Sequence, residues 1–188
     1  MLQELTNSLE FIVFQTQMNQ GILFKILLVP WIVFLLNKIF NNKLLYLGIF
    51  PRHLLGLPGI VFSPLLHANF NHLFFNSIPL AVLSNFILMQ GVNYYLKVTI
   101  AITLISGILI WCFGKPGVHI GASAVITGYW SLLLMHSYQM GTITAIILGG
   151  ICLYYFAGIF FGIFPGKKGV SWEGHLFGLL AGVIVSYM

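Results

Sequence analysis

Three short stretches of this sequence carry residue types whose spacing suits acyl-transfer chemistry. The first is His67-Ala-Asn-Phe-Asn-His72-Leu-Phe-Phe-Asn76. His72 and Asn76 are four apart and share one helix face. Asn69 or Asn71 is placed to cap that helix, with His67 just outside it. The second is Gly121-Ala122-Ser123-Ala124, which opens an apolar segment with Thr127 one turn on. The third is Gly174-His175, continuing to Gly178 and Gly182. That Gly-x-x-x-Gly ladder lets two helix backbones approach closely in lipid, and it would hold His175 against its neighbour. If the neighbour begins with Ser123, an imidazole meets a hydroxyl inside the membrane. An aliphatic hydroxyl is a poor nucleophile until a base within reach accepts its proton. The expected separation of Ser123 Oγ from a ring nitrogen of His175 is about 2.6–3.5 Å. The oxyanion that follows needs preorganised donors. Asn76, His72 and the backbone N–H groups at the start of the Ser123 helix would supply them, helped by that helix's dipole.

Competing chemistries thin out on composition. There is no aspartate, so a paired-aspartate protease is excluded, and no His-Glu-x-x-His for a zinc protease. A metal held by His67, His72 and His175 is not excluded by counting. Glu173 lies two residues from His175, about 200° away round a helix, and is expected to face Lys167 or Lys168. A Ser123–His175 dyad is the reading that remains.

The elements that must position these groups are membrane spans. The chain has 188 residues, mean hydropathy +0.99, 59% apolar residues and only 6% charged ones. Soluble domains carry about 25% charged residues, so a soluble enzyme is excluded. The eight Lys and Arg residues are dispersed, which argues against a nucleic-acid partner. Cys112 and Cys152 lie in apolar runs and read as small buried hydrophobes. Six spans are predicted, at 22–40, 71–90, 95–113, 122–139, 141–162 and 172–188. Residues 1–21 are predicted to form a short N-terminal interfacial helix, and 22–188 one membrane domain. Residues 41–66 hold three prolines within apolar sequence. Irregular backbone of that kind survives in a bilayer only at its interface or packed on protein, so a first loop half-sunk beside the bundle is expected. Thr99, Thr103 and Ser106 are expected to hydrogen-bond between helices, and His53, His119 and His136 to sit near interfaces.

These residues together resemble the rhomboid family of intramembrane serine proteases. The family's His-x-x-x-x-His-x-x-x-Asn pattern falls on His67, His72 and Asn76. Its Gly-x-Ser falls on Gly121 and Ser123, and its histidine on a glycine-laddered last span falls on His175. The resemblance covers roughly 22–188. It implies an all-α polytopic six-helix bundle with a partly membrane-embedded first loop. It also implies Ser123 as nucleophile, His175 as base and then acid, and an oxyanion hole of His72, Asn76 and the Ser123 N–H. Single-pass transmembrane proteins would be the substrates, with no cofactor. The protein would lie in a bacterial inner or plasma membrane, its cavity open to the extracytoplasmic side.

Several features depart from the family. The Lys/Arg bias alone would put the odd-numbered loops, with Lys38, Lys43, Arg52, Lys115, Lys167 and Lys168, in the cytoplasm. That is opposite to the family's topology. The Trp-Arg pair common in the family's first loop is replaced by Pro58-Gly59, so the loop must be anchored otherwise, through Arg52 or His53. Ala124 stands where a glycine usually follows the serine, and its methyl would crowd the oxyanion site. Thr127 replaces an aromatic and is placed to hydrogen-bond. His67 either supports the loop or lines the site. The alternatives are an inactive relative that binds transmembrane helices and, more remotely, a small transporter.

Overall fold

A computed structural model describes residues 2–164 and 171–188, apart from the Phe160 side chain. Its helices are α1 (Leu2–Ile39), α2 (Gly59–Phe62), α3 (Phe70–Leu88), α4 (Val92–Phe113), α5 (Ser123–Met140), α6 (Ile143–Phe161) and α7 (Trp172–Val185). From α3 onward, each long helix lies within three residues of its predicted span. The stretch between the last two predicted spans that holds Lys167 and Lys168 lies outside the described residues.

The amino-terminal expectation needs correction. No break separates an interfacial segment from the first span, because α1 is one continuous helix of 38 residues. At 1.5 Å per residue it is about 57 Å long, against a hydrocarbon core of about 30 Å. Gly21 does not interrupt it. Its first half is built into the bundle by polar bonds that hydropathy does not reveal. Asn19 Nδ2 donates to Asn85 Oδ1 at 3.1 Å, and Asn85 Nδ2 donates to Thr16 Oγ1 at 2.8 Å. Nearer its start, Thr144 Oγ1 donates to Ser8 Oγ at 3.0 Å, beside the first turn of α6.

Helix α5 is the centre of the bundle. It packs on α3, α4, α6 and α7, and everything from Ala124 to Leu133 is buried. A helix enclosed by protein need not be lipophilic. Among the described residues, only α1, α3 and α4 qualify as spans by length and hydropathy alone. The polar groups of α5 are instead satisfied by its neighbours. Tyr129 OH and Thr99 Oγ1 share a 2.6 Å bond, Ser131 Oγ donates to Leu179 O at 2.9 Å, and Trp130 Nε1 donates to Cys152 O at 3.0 Å. Such bonds contribute about 0.6–2 kcal/mol each in a membrane. Thr99 bridges helices as expected. Ser106 instead bonds within its own helix, to Ile102 O at 2.7 Å. Cys152 is fully buried and Cys112 half-buried, both as free thiols.

Residues 40–69 are a chain of short 3-10 turns and α2, packed against α4 and the loop before α5. Ile49 and His119 pair in both directions, with Ile49 N donating to His119 O at 3.0 Å and His119 N to Ile49 O at 2.9 Å. The anchor that replaces the missing Trp-Arg pair is Arg52. Its Nη1 donates to Gly114 O at 2.9 Å and Cys112 O at 3.3 Å, closing the carboxyl end of α4. A cation there also complements the helix dipole. Trp111 Nε1 donates to His53 O at 2.9 Å, so His53 takes part through its backbone. Leu54 and Leu55 point outward, 78% and 88% exposed, as suits a face turned to lipid.

Arg52→Ala should loosen this loop by about 1 kcal/mol, given its partial exposure. Limited proteolysis within 40–69 should then quicken about fivefold. Unchanged nicking would leave the loop held by the Ile49–His119 pair and its neighbours alone.

Candidate active site

The starts of α3, α5 and α7 meet at one end of the bundle. Gly121 shows how. Its φ is +107°, a conformation L side chains rarely adopt, and a Cβ there would stand 2.6 Å from His72 Nε2 and 3.5 Å from Asn76 Nδ2. Only glycine lets the turn before Ser123 sit against both side chains of α3. Its N–H is held by Ser63 O of the first loop at 2.8 Å. Asn69 caps α3, accepting from His72 N at 2.9 Å, which fixes the helix phase that turns His72 and Asn76 to one face.

His67 is buried, 1% exposed, and its ring meets that of His72 edge-on with centroids 4.9 Å apart. Nδ1–H donates to Leu65 O at 3.4 Å, leaving Nε2 to accept from Asn76 Nδ2 at 3.1 Å. The Asn76 amide is thereby oriented, and its second hydrogen has no partner among the described residues. His67 thus touches the site through Asn76 as well as supporting the loop.

Burial, and after it the neighbouring His72, push the His67 imidazole down to about 4. The unfolded value is about 6.5, so below pH 6.5 the unfolded chain binds the extra proton. Stability from neutral His67 is therefore complete above pH 6.5 and is lost as pH falls toward 4. Thermal midpoints in detergent should fall across that window in wild type and fall less in His67→Gln. Equal slopes would assign the acid limb to other groups.

On α7, Gly178 and Gly182 bring the backbone onto α5. A Cβ on Gly178 would land on Ala124 O, and one on Gly182 on Gly128 O and Ser131 Oγ. A Cβ on Gly174 would be 3.8 Å from Ser123 Oγ. The serine and the histidine-bearing turn are therefore neighbours. The expected dyad bond is nonetheless not formed: among the described residues no hydrogen bond joins Ser123 Oγ to His175. The His175 ring is drawn elsewhere, its Nδ1–H donating to Ser171 O at 3.2 Å. It also fills the space left by Gly162, where a Cβ would be 2.7 Å from Cδ2 and 2.9 Å from Nε2. Hydrogen bonds of this kind are commonly long in an empty site.

Ser123 also borders a cavity of about 20 Å³, with Ser63, Thr103, Ser106, His119 and Ser171 among its walls. About 10–15 Å³ of such volume suffices for one water. The Ala124 methyl packs with Ile49 and Ile110 as well as bordering this cavity. Thr127 is fully buried, and its hydroxyl bonds Ser123 O at 2.8 Å rather than the Ser123 side chain. Glu173 is buried at 4% exposure, with Ser171 Oγ 3.4 Å from Oε2. Its expected partners Lys167 and Lys168 lie outside the described residues. Among the described residues no three of His, Cys, Asp and Glu gather as a metal-binding set, so His67, His72 and His175 do not form one.

Sequence reasoning missed Ser171 and His119. The only local signals were a serine three residues before Gly174, in the N-cap position, and a histidine one turn before Ser123.

This is a polytopic, all-helical integral membrane protein with a serine, histidines and an asparagine gathered at one end of the bundle. A family model described as the Rhomboid domain matches residues 55–188. An uncharacterized protein of Mycobacterium tuberculosis (strain ATCC 25618 / H37Rv) is 36% identical over 167 residues, 84% of this chain and 70% of its own length. An uncharacterized protein of Mycobacterium bovis matches to the same extent. One from Mycobacterium leprae is 37% identical over 139 residues, 69% of this chain and 55% of its own length. The chain belongs to the rhomboid family.

Proposed function

We propose that this protein is an intramembrane serine endopeptidase that hydrolyses peptide bonds in or near the transmembrane segment of single-pass membrane proteins. The observation that carries the reading is the meeting of three helix starts at Gly121 and Gly174, which gathers Ser123, His72, Asn76 and the His175 turn. As His175 Nε2 takes its proton, Ser123 Oγ attacks the scissile carbonyl carbon. The carbonyl oxygen becomes an oxyanion facing His72, Asn76 and the Ser123 N–H. Collapse breaks the C–N bond, and the imidazolium returns its proton to the leaving amine. Water, deprotonated by the same nitrogen, then attacks the ester carbonyl, and the imidazolium returns that proton to Ser123 Oγ as the C–O bond breaks. A shift of the His175 ring about its Nδ1–H bond to Ser171 O, bringing Nε2 to Ser123 on substrate binding, completes the dyad. No cofactor is required.

The Ser8–Thr144 bond puts the start of α1 at the bundle end opposite Ser123. With the amino terminus in the cytoplasm of a bacterial cell, the site opens to the extracytoplasmic side. Arg52 and its loop then lie on that side, with the guanidinium held by α4 carbonyls. The missing dyad bond is what favours the second reading, an inactive relative that binds transmembrane helices.

Labelling with a fluorophosphonate in detergent separates the two. Wild type should be labelled one to one, Ser123→Ala not at all, and His175→Ala at least about 100-fold more slowly. Folded wild-type protein that stays unlabelled would establish the binder.

A further inference from the structure

We infer that Ser171 and His119 are positioning residues for His175, bracing it from the loop that precedes α5. This rests on the proposed dyad. Catalytic histidines are usually oriented by a carboxylate on the nitrogen away from the nucleophile. Among the described residues no carboxylate does so. The partner of His175 Nδ1–H is the Ser171 carbonyl, at 3.2 Å. A carbonyl only accepts, so the hydrogen is on Nδ1 and the lone pair is on Nε2, the nitrogen that must act as base.

The position of that carbonyl depends on what holds Ser171. It is the N-cap of α7, at φ −79° and ψ 95°, and its Oγ accepts from Gly174 N at 3.2 Å. The same hydroxyl lies 2.8 Å from His119 Nδ1. His119 Nε2–H donates to Lys115 O at 2.9 Å, and in the tautomer this bond selects Nδ1 accepts from Ser171 Oγ–H. The other acceptor in reach, Glu173 Oε2, is farther at 3.4 Å. His119 is itself fixed by its two backbone bonds to Ile49. A continuous series of hydrogen bonds therefore runs from the embedded first loop through His119 and Ser171 to the base. His119, Ser171, Gly174 and Ser123 border the same small cavity.

The test uses three variants that differ in what they remove. Ser171→Asp keeps the cap on Gly174 N but has no hydrogen for His119. His119→Phe keeps the ring volume without either bond, and Ser171→Thr keeps every bond. Ser171→Asp and His119→Phe should lower kcat roughly 10- to 100-fold with KM unchanged, and Ser171→Thr should restore it. Nitrogen-15 NMR of the histidines, in full-length protein carrying Ser123→Ala, should show His175 as one tautomer and as a mixture once His119→Phe is added. Unchanged kcat together with an unchanged His175 pattern in both impaired variants would overturn the brace. If wild type is not labelled by fluorophosphonate, the protease reading fails separately. The His175 nitrogen pattern then decides the brace alone, a change upholding it and no change sinking it.

Discussion

With Ser123 replaced by alanine, cleavage of a single-pass membrane substrate should fall to background, whatever the sequence round the cut. Thr127, one turn along α5, offers no substitute hydroxyl, because it is fully buried and bonded to Ser123 O. In the wild type the rate should depend on the substrate helix. A helical amide is hydrogen-bonded and shielded by its own turns, so Ser123 cannot reach its carbonyl until the segment opens. Proline or glycine near the cut site should speed cleavage by easing that opening. The cavity beside Ser123 has room for a water or so, the second reactant. Rates should be compared for stable and destabilised substrates at equal membrane insertion, in both backgrounds. Equal wild-type rates would remove the unwinding step, and residual cleavage in Ser123→Ala would remove the nucleophile.

The second large effect is expected at Gly178. Adding one methyl there places a Cβ on the Ala124 carbonyl, a backbone atom of the central helix, so α5 and α7 must separate. Overpacking of a tight interface costs roughly 1–3 kcal/mol, and this contact has no flexible side chain to yield. Gly178→Ala should therefore lose about 3 kcal/mol, despite alanine's higher helix propensity. Gly150→Ala on α6 is the internal control, since nothing lies within 4 Å of its Cβ position. It should gain up to about 1 kcal/mol from propensity alone. Opposite shifts in thermal midpoint are expected, with activity lost in Gly178→Ala because the two helices carry Ser123 and His175. Shifts of the same sign would remove close packing of α5 on α7 as the reason for the glycine.

The site's backbone geometry was legible because each part has a local cause. Asn69 caps α3, the four-residue spacing aligns His72 with Asn76, Gly121 makes a turn only glycine makes well, and the ladder at Gly174, Gly178 and Gly182 admits a close neighbour. Ala124 and Thr127 were legible as small or polar residues of that interface, but not for what they touch. The single helix over Leu2–Ile39 was not foreseen, because its first half owes its place to Asn85, far along the chain. Nor did the chain's spacing reveal that His175 would turn to Ser171 rather than Ser123.

By itself, then, the sequence determined six apolar helices in a membrane, an irregular first loop, and which serine, histidines and asparagine would share one end. Periodicity, caps and glycine spacing act within a few residues, so one chain suffices to read them. Only the tertiary structure decided the Arg52 anchor on α4, the central burial of α5, and the Ser171–His119 brace. Each of these joins partners some twenty to sixty residues apart, and such pairs leave no local pattern until the packed bundle brings them within hydrogen-bonding reach.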